Sequence, residues 1–411
     1  MDNAPMDRVT VHQDSRAEPT RGLASSRQTR TGFLRADFLR AATLCIASAA
    51  LLVAACQPMG SASSAPSPET VGDDHLKPFG DFELPRKIGS VDNVGLQIPA
   101  VSPDGEQLLY LRSDRDDLAL MTLLGSPDPL HTAPDGELAI WQRPVSGTLT
   151  GRRISPERWA HSPVWSDTGQ AIAYVVNEPP GSYIVHLELA SGTRTPLGLP
   201  EAVNCLPRFG PDDDTVVFCA GPTPAASRVF RQRVGDPEPT ALTPPGGNYS
   251  LPLAASTADQ VWCARADGSE LTWIAARTDN AQTLVSRWGT ADQPDLLQTW
   301  AGIANPLSPD GRSFLFYDAA RNRIRAYHAT DRRVVGHRLG SIAACWLGPE
   351  TIALATADGV FLVDTASGRS PGLFNGSWIP CRYVPRTGRL LLLGRERVNR
   401  FSIVEVLFRP R

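Results

Sequence analysis

One short pattern recurs through the chain and constrains its fold more than any other feature. It reads PAVSPDGEQLLYL from Pro99, PVWSDTGQAIAYV from Pro163, PRFGPDDDTVVFC from Pro207 and PLSPDGRSFLFYD from Pro306. Weaker copies are STADQVWCA from Ser256, LGPETIALA from Leu347 and VPRTGRLLLL from Val384, which makes seven. Their turn positions fall near Asp104, Asp167, Asp212, Asp259, Asp310, Glu350 and Thr387. Most intervals are 37 to 51 residues, and the first is 63. A fixed period of this size is the mark of a repeat architecture.

The unit has a readable physics. Pro-Asp-Gly makes a tight turn, because Pro presets φ, Asp bonds to its own backbone and Gly accepts a positive φ. The aliphatic, β-branched and aromatic run that follows reads as a strand. Further strands flank a second turn, as in YIVHLEL, Ala190-Ser191-Gly192 and TRTPLGL. GVFLVDTASGRSPGLF and RIRAYHATDRRVVGHRL repeat that arrangement. Four strands in 40–50 residues are a propeller blade. The chain is therefore expected to be all-β, a β-propeller of seven four-stranded blades, with six to eight possible. The last unit ends without an outermost strand, and Phe82 to Gly89 (FELPRKIG) is an unclaimed strand-like segment. Pairing that N-terminal segment into the last blade would close the ring and cover an open edge. The repeat resembles that of the TolB-like (WD40-like) β-propellers, also found in the propellers of prolyl oligopeptidases. That resemblance implies protein interaction at the cell envelope.

Ahead of the repeats, Arg35 and Arg40 precede an apolar run of small residues, Ala41 to Ala55. A charged region, a short apolar core and small residues before a cut describe a signal peptide. At about 15 residues the run is shorter than the roughly 20 a spanning helix needs. Val53-Ala54-Ala55-Cys56 resembles the bacterial lipobox. The resemblance implies cleavage before Cys56, a diacylglycerol on its thiol and a further acyl chain, such as palmitate, on its new amino group. Each buried methylene adds about 0.8 kcal/mol of membrane affinity, so several chains on one residue hold firmly. The expected organisation is a signal peptide over 1–55, lipidated Cys56 and a tether over 56–80, and the propeller over 81–411. The tether is rich in Ser, Ala and Pro and cannot build a core. Gln57 after the Cys resembles the family's outer-membrane sorting pattern, which implies the periplasmic side of an outer membrane where one exists.

Seven of the 40 basic and five of the 43 acidic residues precede Cys56, which leaves 33 and 38 and a formal charge of −5. A mildly acidic chain is a poor partner for nucleic acid. Five cysteines follow Cys56, and none form C-x-x-C. In an exported protein, Cys205 with Cys219 or Cys219 with Cys263 are candidate disulfides, with buried free thiols as the alternative.

Catalytic signals are weak. Gly368-Arg369-Ser370-Pro371-Gly372 matches G-x-S-x-G. That elbow needs a strand-to-helix turn and an N–H on the residue after Ser, and Pro371 has none. Asp212-Asp213-Asp214 suggests calcium, but it sits at a blade turn where Asp is favoured. His75, His131, His161, His186, His328 and His337 are scattered. No catalytic residue, metal ligand or cofactor is assigned. One insertion departs from the repeat, Arg115 to Gly136, whose Leu118, Leu120, Met121, Leu123 and Leu124 exceed what a loop needs. It is a candidate docking element. The expected function is a lipid-anchored, non-catalytic binding or scaffold module for envelope proteins or ligands. A lyase or hydrolase with its site at the central channel, and an assembly factor for an exported machine, are the alternatives.

Overall fold

The computed structural model describes residues 80–410 except 84, 93–97, 115–135, 148–150, 211, 224–225, 255–259, 268–269, 278–283, 291–302, 319–322, 329–332, 337–339, 342 and 398–399. These residues form seven sheets in chain order. Sheet 1 comprises Ala100–Val101, Gln107–Ser113, Leu138–Pro144 and Arg152–Arg153. Sheet 2 comprises Ala160–Trp165, Ala171–Glu178, Gly181–Glu188 and Arg194–Leu197. Sheet 3 has Val203–Phe209, Thr215–Gly221, Arg228–Arg233 and Thr240–Ala241. Sheet 4 has Asn248–Ala254, Gln260–Asp267, Glu270–Arg277 and Leu284–Thr290. Sheet 5 keeps three strands, Ser313–Asp318, Arg323–His328 and Arg333–Gly336. Sheet 6 has Ala343–Trp346, Thr351–Ala355, Gly359–Asp364 and Gly372–Asn375. Sheet 7 has Trp378–Val384, Arg389–Arg397 and Arg400–Pro410.

Each sheet is an antiparallel meander, and the sheets pack face to face in order. Leu109 and Ile140 of sheet 1 meet Ile172 and Tyr174 of sheet 2. Ala173 and Ile184 of sheet 2 meet Val216 and Phe218 of sheet 3. Val217 and Cys219 of sheet 3 meet Tyr249 and Val261 of sheet 4. Trp262 of sheet 4 lies 5.4 Å from both Phe314 and Tyr327 of sheet 5. Leu315 of sheet 5 packs on Ile352 and Leu354 of sheet 6, and Leu362 of sheet 6 on Leu392 and Val404 of sheet 7. Leu391 and Ile403 of sheet 7 return to Val101 and Leu108 of sheet 1, so the ring closes. Each fully buried Leu, Ile or Phe in these interfaces contributes about 1.5–3 kcal/mol.

The repeated turn is held by the same bonds in different sheets. The Ser102 hydroxyl bonds to the Asp104 carboxylate at 2.5 Å, and Ser308 to Asp310 at 2.6 Å. Each Asp also accepts a backbone N–H two residues on, and each Ser oxygen one five residues on. Gly105, Gly169 and Gly311 supply φ values of +75°, +76° and +69°. Burial pushes the Asp104 carboxyl up, but the Ser102 and Glu106 bonds outweigh it and hold its pKa below the ordinary value.

The N-terminal segment closes the ring as two strands, Gly80–Phe82 and Arg86–Asp92, both antiparallel to Arg400–Pro410. Phe82 stacks on Phe408 at 4.5 Å. On its far side this segment meets sheet 1. The Gly147 N–H donates to the Ile88 carbonyl at 2.8 Å, and the buried Arg143 donates to the carbonyls of Ser90 and Gly147. Gly89 is required here, since a Cβ would stand 2.8 Å from the Val145 carbonyl oxygen.

Four strands per unit does not hold everywhere. Ile303–Asn305, the first strand expected in sheet 5, pairs parallel with Ala343–Trp346 of sheet 6. Its own sheet retains a bridge from Leu307 to Phe314. Pro306 interrupts the ladder because it has no N–H to donate. Inner strands of neighbouring blades run the same way, so the freed segment can join its neighbour in parallel.

Candidate functional site

The first strand of every sheet lies at the centre of the ring. Successive first strands touch one another: sheet 1 to 2, 2 to 3, 3 to 4, 6 to 7 and 7 to 1. In sheets 2, 3, 4 and 7 the first strand carries a proline at a register shift, and Ile303–Asn305 has a shift where it joins sheet 6 just before Pro306. The shifts fall between His161 and Val164, Cys205 and Arg208, Ser250 and Leu253, Ile303 and Asn305, and Pro380 and Arg382. A proline inside a strand is tolerated at a bulge, where its missing N–H leaves no gap in the ladder. Ser162 and Leu206, each directly before such a proline, are held at φ +54°. Non-glycine residues at positive φ are uncommon and cost of order 1–3 kcal/mol.

Along these strands buried and half-buried residues alternate. Val101, Phe209 and Tyr383 are buried between sheets, whereas the residues just before them, Ala100, Arg208 and Arg382, keep partial contact with solvent. Ala100 and Val164 are partly buried against the sheet 1–2 and sheet 2–3 cores. The first strands together read AV, AHSPVW, VNCLPRF, NYSLPLA, IAN, AACW and WIPCRYV. They contain three basic residues, His161, Arg208 and Arg382, and no acid.

Enclosure shapes each base. Burial lowers the Arg208 pKa to about 10, still protonated at neutral pH. Burial also lowers the Arg382 pKa, opposed chiefly by Asp167 and more weakly by Asp104. Asp167 stands on a turn of sheet 2, so a guanidinium from sheet 7 that senses it reaches toward the axis. The Arg382 Nε is buried with no hydrogen-bond partner among the described residues. His161 has its pKa lowered by burial, against the opposing bond to Asn177, and is neutral at pH 7. Its Nδ1 lies 2.9 Å from the Ser162 hydroxyl and its Nε2 3.3 Å from Asn177 Oδ1. The first strands thus carry two enclosed cations, and Asp167 and Asp104 on neighbouring turns act on Arg382. Arginines in such surroundings bind oxyanions through paired N–H donors.

Cys56 and the docking residues Leu118, Leu120, Met121, Leu123 and Leu124 lie outside the described residues, as do His75, His131 and His337. None of the five described cysteines forms a disulfide. Cys205 stands directly opposite Cys219 in the strand register, and both share an apolar cluster with Cys263. The G-x-S-x-G segment forms the turn between two strands of sheet 6. The Gly368 N–H donates to the Asp364 carbonyl, Asp364 caps Ala366 and Ser367, and the chain enters Gly372–Asn375 with no helix. Asp212 accepts the Asp214 N–H, Asp213 accepts the Thr168 hydroxyl, and Asp214 faces Arg233 at 3.8 Å. Among the described residues no three His, Cys, Asp or Glu gather at metal-ligand distance. The axial arginines were not singled out from the sequence, although each is a lone charge in an apolar run, PRFGP and PCRYVP.

A closed ring of twisted meanders with its first strands at the centre is a β-propeller, and that is the class of this protein. The chain is similar to the WD40 domain of Toxoplasma gondii coronin, at 10% identity over 80% of this chain and 89% of that one, with a TM-score of 0.52. It is similar to an oligogalacturonate lyase in complex with manganese, at 12% identity over 78% and 90%, with a TM-score of 0.50. Similarity to TolB from Acinetobacter baumannii is 16% over 67% and 60%, with a TM-score of 0.38. These likenesses concern the fold alone. No protein-family model and no curated protein matches the chain.

Proposed function

We propose that this chain is an exported, lipid-anchored β-propeller that serves as a non-catalytic binding module for another envelope protein, with its axis as the contact point. The observation that carries the reading is Arg208 with Arg382: two enclosed arginines on first strands whose sequences hold no acid. Buried charge is costly, and it is kept where it has work to do. The Val53-Ala54-Ala55-Cys56 sequence supports export and lipidation, and the Ser/Ala/Pro-rich stretch after it supports a tether. About 25 such residues span roughly 25–30 Å, which keeps the ring near the membrane, on the periplasmic side of an outer membrane where one exists.

The test is crosslinking in cells followed by capture of the tethered protein. A defined envelope protein should be joined to first-strand positions such as Val164 in the lipidated form. A stoichiometric metal ion in the purified protein, with no partner joined at the axis, would turn the reading to an enzyme.

A further inference from the structure

We propose that Cys205 and Cys219 form a reversible thiol–disulfide site on sheet 3, opened and closed by exchange with a dithiol–disulfide partner rather than locked as a structural bridge. The inference stands on the strand register and does not rest on the binding-module reading.

Three thiols meet where sheet 3 packs on sheet 4. Cys219 and Cys263 are buried in one apolar cluster, and Cys205 packs against it. The register decides which two can join. Cys205 on Val203–Phe209 stands directly opposite Cys219 on Thr215–Gly221. Residues opposed in an antiparallel pair carry their side chains on one face of the sheet, and these two reach the same cluster. Cys263 belongs to the neighbouring sheet, where it stands opposite Ile274.

The backbone fixes the kind of pair. The Gly210 N–H donates to the Thr215 carbonyl at 2.8 Å, so the backbone groups of Thr215 turn toward the first strand. A strand repeats every second residue, so Val217 and Cys219 turn the same way. Cys205 and Cys219 are therefore a hydrogen-bonded pair, for which Cα atoms stand about 5.5 Å apart. That lies inside the range of about 4.4–6.8 Å that a disulfide spans. Opposed Cβ atoms stand about 4.5–5.5 Å apart, whereas a relaxed disulfide holds them at about 3.5–4.5 Å. Closing the bond must draw the two strands together by about 1 Å. The register shift directly after Cys205, with Leu206 at φ +54° and Pro207, is where the first strand can give. A bridge closed against such a separation is more readily reduced than a relaxed one.

Access sets the order of events. Cys205 is half-buried, whereas Cys219 and Cys263 are 0% exposed. Burial pushes the Cys263 pKa up to about 12, which keeps it a thiol. The Cys205 thiolate attacks the partner's disulfide, forming a mixed disulfide and releasing one partner sulfur as a thiol. Cys219 then attacks the Cys205 sulfur and displaces the second partner sulfur. Two protons and two electrons pass from the cysteine pair to the partner, which leaves as a dithiol, and reduction runs the same steps backwards.

The experiment equilibrates the purified protein in mixtures of reduced and oxidised glutathione, quenches with acid, blocks thiols and maps the linked peptides by mass spectrometry. Oxidised glutathione should join Cys205 to Cys219, excess reduced glutathione should reopen the link in the folded protein, and Cys263 should stay a thiol throughout. Cys263→Ala should form the same link at the same glutathione ratio, and Cys205→Ser should not form it. The proposal is overturned if no link forms in the parent, if Cys219 joins Cys263 instead, if Cys263→Ala moves the half-oxidation ratio more than tenfold, or if the link, once formed, resists excess reduced glutathione.

Discussion

Replacing Glu405 with Gln should loosen the last sheet and open the ring. The Glu405 side chain is 8% exposed and sits on the final strand. It accepts Arg389 Nε at 2.5 Å and Arg86 Nη2 at 2.8 Å from the N-terminal closing strand. Arg389 in turn donates to Glu106 of sheet 1 at 2.5 Å, so one carboxylate ties three elements that meet at the closure. Arg86 is 75% exposed, and its bond contributes about 0–1 kcal/mol. Arg389 is 14% exposed, and breaking a buried pair costs about 3–5 kcal/mol. Glu106 remains as a partly exposed partner, which reduces the loss to about 2–4 kcal/mol. At about 2 °C per kcal/mol, the midpoint should fall about 4–8 °C. Because one sheet can open ahead of the whole, thermal unfolding should be read alongside amide exchange of Phe401 to Phe408. Burial pushes the Glu405 pKa up, but the bonds from Arg86 and Arg389 outweigh it and hold it below 4.5. Its stabilisation is therefore present above pH 4.5 and lost as pH falls through the lower folded value, and Glu405→Gln should flatten that acid limb. If Glu405→Gln and Arg389→Met both melt within a degree of the parent, the closure is not held electrostatically.

Gly89→Val should cost about 1–3 kcal/mol, read by denaturant midpoint, because its side chain meets the Val145 and Gly147 carbonyls. Cys56→Ser should move the protein from the membrane to the soluble fraction; persistence in membranes would end the lipid account. Mild oxidation should join Cys205 to Cys219, since residues directly opposite in an antiparallel pair lie within disulfide reach. Cys381, whose burial pushes its pKa up to about 12, should stay unmodified by iodoacetamide in the folded state, as peptide mapping would show.

The turn chemistry was legible because it is local. Ser-Pro-Asp-Gly fixes its own bonds within six residues, so Ser102 and Ser308 behave alike in sheets far apart. The closing strand was legible because an edge left open at Pro410 calls for a partner, and FELPRKIG was unclaimed. That it arrives as two strands depends on contacts from sheet 1, such as Gly147 to Ile88, that no local pattern encodes. The departure of Ile303–Asn305 to the next sheet was hidden for the same reason. The axial arginines were written in the repeat as charges where others carry Ala or Val. Their enclosure depends on packing from neighbouring sheets, such as Asp167 of sheet 2 acting on Arg382 of sheet 7, which no local pattern encodes.

Photocrosslinking from Val164 in intact cells tests the central claim most directly, because that half-buried residue stands on a first strand at the centre of the ring while Thr195 on an outermost strand serves as control. The account predicts one envelope protein joined from Val164, not from Thr195, and lost in Cys56→Ser. Adducts from Thr195 with none from Val164 would contradict it.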